Sequence, residues 1–186
     1  MHRTLIIGSF ATLGLLLSAC ATDPDDKEHV GQSESALFSG FWTSPTSEEF
    51  PPVNCPSGYV ADAMECTGSN CDNVALHCGD IGRAASDQRW SAPISEEAPN
   101  NHVKCGPNRF MMGVSCTGSY CDNMAIQCAT FANTTRGADS ACYWSPWFSE
   151  EQQFQYLLSG YAAAGIQCDG SFCDNISIYA CPVVLN

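Results

Sequence analysis

Three eight-residue segments repeat, nearly unchanged, a set of side chains that could bind or react. They are Cys66-Thr67-Gly68-Ser69-Asn70-Cys71-Asp72-Asn73, Cys116 to Asn123 and Cys168 to Asn175. Their Cys-x4-Cys spacing can close a disulfide or supply two zinc ligands. Asp72, Asp122 and Asp174 offer carboxylate oxygens to a sugar hydroxyl or a hard cation. Beside a turn, such side chains also bond the turn backbone itself. Gly, Ser, Cys, Asp and Asn are common to all three copies, and the residue before the second cysteine is not: it is Asn70, Tyr120 or Phe172. A ring at an exposed loop tip is costly unless it meets something, and stacking on a sugar or entering a partner surface would use it. Packing on a neighbouring hairpin is the competing use. Asn70, Tyr120, Phe172, Asp72, Asp122 and Asp174 are thus the candidate ligand-binding residues.

Glu48-Glu49, Glu96-Glu97 and Glu150-Glu151 form a second recurring set. Adjacent residues of an extended chain point to opposite sides, so these pairs are not spaced as a general acid and base. Turn and edge roles account for them. Calcium binding by Glu48, Glu96 and Glu150 is the weaker reading, and no other cofactor is indicated. His2, His29, His77 and His102 share no metal or catalytic spacing, and the chain has no phosphate loop or dinucleotide fingerprint. No catalytic residue is therefore assigned, and the chain is not expected to be an enzyme. Zinc is disfavoured too, because Cys-x4-Cys is wider than zinc-ribbon spacing and an exported compartment is oxidising.

The elements that must position these residues are strands. The segments belong to a larger repeat that opens at Trp42, Trp90 and Trp144, each followed by a Glu-Glu pair. Repeats of about 41–80, 89–130 and 142–183 result, each too small to hold its own core. Tyr59 to Glu65 with Val74 to His77, Phe110 to Ser115 with Met124 to Gln127, and Tyr161 to Gln167 with Ile176 to Tyr179 flank the Gly-containing turns as hairpin strands. Alternation at Val74 and Leu76, Met124 and Ile126, and Ile176 and Ile178 gives each last strand one buried face. No segment shows a helical period, and the tryptophans read as core.

Strand parity pairs the cysteines. With Thr67 to Asn70 as a four-residue connection, Cys66 and Cys71 are cross-strand neighbours. Cys55 and Cys78 lie at odd offsets from them, on the opposite face. Cys55–Cys78, Cys66–Cys71, Cys105–Cys128, Cys116–Cys121 and Cys168–Cys173 follow. The third repeat has Leu157 where the first Cys would stand, and Cys142 pairs with Cys181.

Residues 1–19 read as a lipoprotein signal peptide. A basic start precedes an apolar run from Leu5 to Leu17 that is shorter than the ~20 residues of a membrane span, and Leu17-Ser18-Ala19-Cys20 resembles a bacterial lipobox. Cys20 would carry the lipid, leaving twelve of thirteen cysteines to pair. Residues 20–40 read as a disordered acidic tether, and 41–186 as the β domain. Ala21 after the lipidated Cys favours the outer membrane. The net charge of −13 excludes an electrostatic footprint for nucleic acid.

Cys55-Pro56-Ser57-Gly58-Tyr59-Val60 and Asp72-Asn73-Val74-Ala75-Leu76-His77-Cys78 resemble the vitelline outer membrane layer protein family over about residues 41–183. The resemblance implies an all-β, pseudo-threefold β-prism of three antiparallel sheets. The first-to-last Cys bridge of each repeat matches that family. The short Cys66–Cys71 type does not, because the family has a longer loop there. Related prisms bind glycans or surfaces, so the expectation is a monomeric, disulfide-rich, membrane-anchored binding module. A structural envelope component is the alternative, and a polysaccharide-acting enzyme the more distant one.

Overall fold

The computed structural model describes residues 38–99 and 101–186. The expected signal segment, Cys20 and most of the tether lie outside them. Ordered structure begins before the expected boundary: Phe38 packs on the core, and Gly40 already pairs with Gly79.

The described residues form thirteen strands and four 3-10 turns, with no α-helix. In chain order the strands are β1 (Gly40–Trp42), β2 (Val53–Asn54), β3 (Gly58–Thr67), β4 (Asn73–Arg83), β5 (Ala85–Trp90), β6 (His102–Lys104), β7 (Phe110–Thr117), β8 (Asn123–Phe131), β9 (Thr134–Arg136), β10 (Tyr143–Trp144), β11 (Phe154–Tyr156), β12 (Tyr161–Asp169) and β13 (Asn175–Leu185). They make three antiparallel sheets, ordered β1-β4-β3-β11, β2-β7-β8-β5 and β10-β13-β12-β6, with β9 added beside β13.

Each sheet is a long hairpin with one short strand on either edge. The strand ending in Trp42, Trp90 or Trp144 pairs with the hairpin of its own repeat. The other edge strand comes from a different repeat. β2 leaves the first repeat for the second hairpin, β6 leaves the second for the third, and β11 leaves the third for the first. The donation is cyclic, so no sheet is complete without a strand from another repeat. Each donated strand ends on the same bond. Cys55 N–H donates to Met112 O at 2.6 Å, Cys105 N–H to Ala164 O at 2.7 Å, and Leu157 N–H to Asp62 O at 3.1 Å. The accepting residue is in each case a β-bulge, lying between Ala61 and Ala63, Met111 and Gly113, or Ala163 and Gly165. A bulge leaves one residue out of the ladder and bends the strand, and here its spare carbonyl receives the incoming chain.

One apolar cluster lies among the three sheets. Val60, Met64, Val74 and Leu76 meet Phe110, Val114, Met124 and Ile126, together with Ile166, Ile176 and Ile178, all essentially solvent-free. Burial of each such side chain contributes about 1.5–3 kcal/mol. A hairpin alone offers no second layer to cover this face. The last strands are covered on both faces to a greater degree than alternation alone implies: Ala75 and His77 are buried along with Val74 and Leu76, as are Ser177 and Tyr179 with Ile176 and Ile178, whereas Gln127 of β8 is half-buried. The tryptophans explain the difference. They do not enter the core but lie on the outer faces of the sheets, as where the Trp42 ring sits 5.3 Å from that of His77.

Six disulfides join Cys55–Cys78, Cys66–Cys71, Cys105–Cys128, Cys116–Cys121, Cys142–Cys181 and Cys168–Cys173. The geometry of the short bridges differs from the cross-strand expectation. Cys66 lies opposite Val74, not Cys71, and Thr67 opposite Asn73. The connection is therefore five residues, Gly68 to Asp72. Cys71 reaches Cys66 because the chain curls back on itself inside the turn.

Candidate functional site

The three turns have one conformation. Gly68, Gly118 and Gly170 take φ of 81°, 82° and 78° with extended ψ, a region open in practice only to glycine. An added Cβ there would overlap the Oδ1 of Asp72, Asp122 or Asp174. That carboxylate is in turn held by the neighbouring amide: Asn73, Asn123 and Asn175 each donate Nδ2–H to it at 2.5–2.6 Å. The shared Gly, Asp and Asn are thus accounted for by the turn. The three aspartates are half-buried and engaged.

Asn70, Tyr120 and Phe172 sit at the turn apices in left-handed backbone, with φ of 55°, 54° and 60°, and the cysteine after each is left-handed as well. Asparagine tolerates this conformation; for Tyr and Phe it costs on the order of 1–2 kcal/mol each. The three turns come together at one end of the domain. Cys71 Sγ lies 3.0 Å from Asp174 O, Cys121 Sγ 3.0 Å from Asp72 O, and Cys173 Sγ 3.4 Å from Asp122 O. These are packing contacts, because oxidised sulfur has no hydrogen to donate. They close a ring of three turns. At its rim the Tyr120 and Phe172 rings, from different repeats, are 5.2 Å apart and tilted. Both remain exposed, at 43% and 37%. The rings therefore do pack on a neighbouring hairpin, and they still present apolar surface to solvent.

The glutamates converge on the same end. Glu96 accepts the Phe172 N–H at 2.9 Å, so a carboxylate of the second repeat caps a turn of the third. Glu150 approaches Cys71 of the first repeat, at 4.0 Å from its Sγ. Ser47 and Ser95 hydroxyls accept the backbone N–H of Glu49 and Glu97, the local turn bonding typical of serine. Among the described residues, the one group of three ligand-type side chains within 4.8 Å is Cys66, Cys71 and Glu150. Both of its sulfurs are spent in a disulfide. Among the described residues Glu48 and Glu96 belong to no such group. Partial desolvation raises the pKa of Asp174, opposed by its bond from Asn175 and reinforced by Glu150, Glu151 and Asp169.

A second cluster escaped the sequence reading. Asp62, the bulged residue of β3, is buried and lies 2.6 Å from His77 Nδ1. Burial pushes its carboxyl above the ordinary value of 3.8, against the lowering effect of His77. Trp42 and Tyr156 close around the pair, with ring centres 5.3 and 6.0 Å from His77. The equivalent bulge positions are Met112 and Ala164, so the pair is unique to the first sheet. The signal available was Asp62 set between Ala61 and Ala63 in the apolar middle of the strand.

Compared with known proteins, the chain matches no family model, no curated protein and no solved structure.

Proposed function

We propose that this chain is a non-enzymatic binding module, exported and lipid-anchored through Cys20, that recognises glycans or another extracellular surface with the end of a pseudo-threefold β-prism. One observation carries the reading: two aromatic residues from different repeats are held in costly left-handed backbone, side by side and half exposed. Strain of this kind persists where the surrounding fold dictates it, and it clusters at binding and switch sites. The exposed rings, tilted against each other, offer apolar faces on which a sugar can stack, and the carboxylates around them suit sugar hydroxyls. The three turns make one composite surface, in place of the three separate weak sites that the repeats alone suggest. The outer membrane is the expected address, and the six disulfides fit an oxidising one.

A purely structural role in an envelope or coat is the second reading. Cyclic strand donation and six bridges favour it, because they would suit a durable building block. A glycan array probed with the purified protein, with and without calcium, separates the two. The binding reading predicts retention of at least one glycan class, unchanged by chelation. No binding to any glycan or cell surface would leave the structural role.

A further inference from the structure

The chain has only seven Lys and Arg against twenty Asp and Glu, yet three of the seven line a single cavity. It has a volume of about 210 Å³ and is bounded by Arg89, Trp90, Lys104, Cys105, Arg109 and Cys128. It lies five residues along β8 from the tip turn, away from the aromatic pair. A fourth cation, Arg136, donates to the carbonyls of Cys105 and Gly106 at 3.2 and 3.5 Å and so fixes the wall of the cavity.

The edge strand β5 is bulged between Ser86 and Arg89, and Asp87 within it is left-handed, with φ of 49°. That kink points the Asp87 carboxylate at two guanidiniums. Arg89 Nε donates to it at 2.8 Å, and Arg109 Nη2 donates to its other oxygen. Arg109 also donates to the Asp87 carbonyl at 2.5 Å. One carboxylate is thus shared by two cations, and Lys104 adds a third whose Nζ lies 3.8 Å over the Tyr179 ring. The local charge is positive in a strongly negative molecule. Arg109 has 16% of its side chain exposed, whereas Arg89 is 72% exposed and open to a ligand from solvent. Trp90, 40% exposed, follows Arg89 in β5 and also borders the cavity. Edge-strand bulges recur beside binding sites because they re-aim side chains.

We propose that this cavity binds a uronic-acid unit of an anionic saccharide, its carboxylate on Arg89 and Arg109 and its ring against Trp90. The planar guanidinium fork matches a carboxylate through paired hydrogen bonds, and indole offers an apolar platform for the ring. The volume falls below the roughly 300 Å³ at which drug-sized pockets begin, which suits one unit of a longer chain. The proposal rests on the glycan-binding reading above and adds to it a ligand class and a second site.

The test is calorimetric titration of the full chain with trigalacturonic acid and with its neutral methyl ester. The acid binds, the ester binds at least tenfold more weakly, and Arg89→Gln and Trp90→Ala each weaken the acid at least fivefold. Arg89 is 72% exposed, so Arg89→Gln leaves the fold intact, which an unchanged melting temperature verifies. Equal affinity of Arg89→Gln and wild type, or of ester and acid, overturns the proposal. If a neutral glycan still binds through Tyr120 and Phe172, only this inference fails. If neither the acid nor any neutral glycan binds, the reading beneath it fails too.

Discussion

At the scale of single residues, the tip motif separates into parts that make the turn and a part that the turn displays. Gly118 carries the first role most sharply, because its backbone angles and the space above it both exclude a side chain. Gly118→Ala is expected to destabilise the domain by about 2–3 kcal/mol, whereas Gly106→Ala, with no neighbour closer than 3.6 Å to the added carbon, changes stability by less than about 0.5 kcal/mol. Urea denaturation of both variants checks the contrast. Asp62 supplies a pH signature. Its folded pKa is raised above 3.8, chiefly by burial, so the folded chain holds this proton more tightly than the unfolded chain does. The resulting stabilisation is complete below the unfolded pKa and is lost as pH rises through the folded one. Wild type should therefore gain stability relative to Asp62→Asn as pH is lowered from 7 toward 4, measured by denaturation at each pH. A fall over that interval would contradict the assignment.

At the scale of elements, the donated strands organise the fold. Cys55–Cys78 and Cys105–Cys128 tie each of the first two donated strands back to its own repeat, with Cα atoms 5.4 and 5.6 Å apart. In the third repeat Leu157 makes the equivalent backbone bond, and Ala180 takes the place of Cys78 and Cys128 in the register, opposite Ala163 as they are opposite Ala61 and Met111. The absent bridge is thus replaced by two buried apolar residues, Leu157 and Ala180, at the matched positions. Leu157→Cys with Ala180→Cys is expected to close a seventh disulfide, detected as loss of two titratable thiols. By loop entropy it stabilises by up to ~3 kcal/mol. Thiols that stay reactive under oxidising conditions would break the proposed equivalence.

Much of this scale was legible in the sequence. The repeat spacing placed all three hairpins, and Leu157 stood out as the odd residue in a cysteine position. The five-residue turn was not legible, because two successive left-handed residues such as Tyr120 and Cys121 leave no compositional trace. Nor was strand donation: the pairing of Val53 with Val114 joins residues from different repeats, and repeat periodicity is silent about which copy a strand will join. The Arg89, Lys104 and Arg109 cluster escaped for the same reason, since its members are scattered in sequence and meet only when β5 bulges beside the end of β6.

At the scale of the molecule, three sheets of unlike surface surround one core, and two features break their similarity. One is the tip ring, where Asn70, Tyr120 and Phe172 differ on identical turns. The other is the outer faces of the sheets, where Trp42 covers a buried Asp–His pair, Trp90 borders a cationic cavity and Trp144 lies beneath Lys104. A repeat scaffold conserves what folds and varies what is displayed, so specificity is sought at these unlike positions. Acidic charge collects around the tips and cations collect elsewhere, which favours different ligand chemistry at the two places.

The central claim is that the tip aromatics form a binding surface. Its most direct test is the affinity of the strongest array glycan for wild type and for the double variant Tyr120→Ala, Phe172→Ala, with melting temperatures measured alongside. The account predicts at least a tenfold loss, about 1.4 kcal/mol, with the fold intact and no change on adding EDTA. Undiminished affinity in a folded double variant would contradict it.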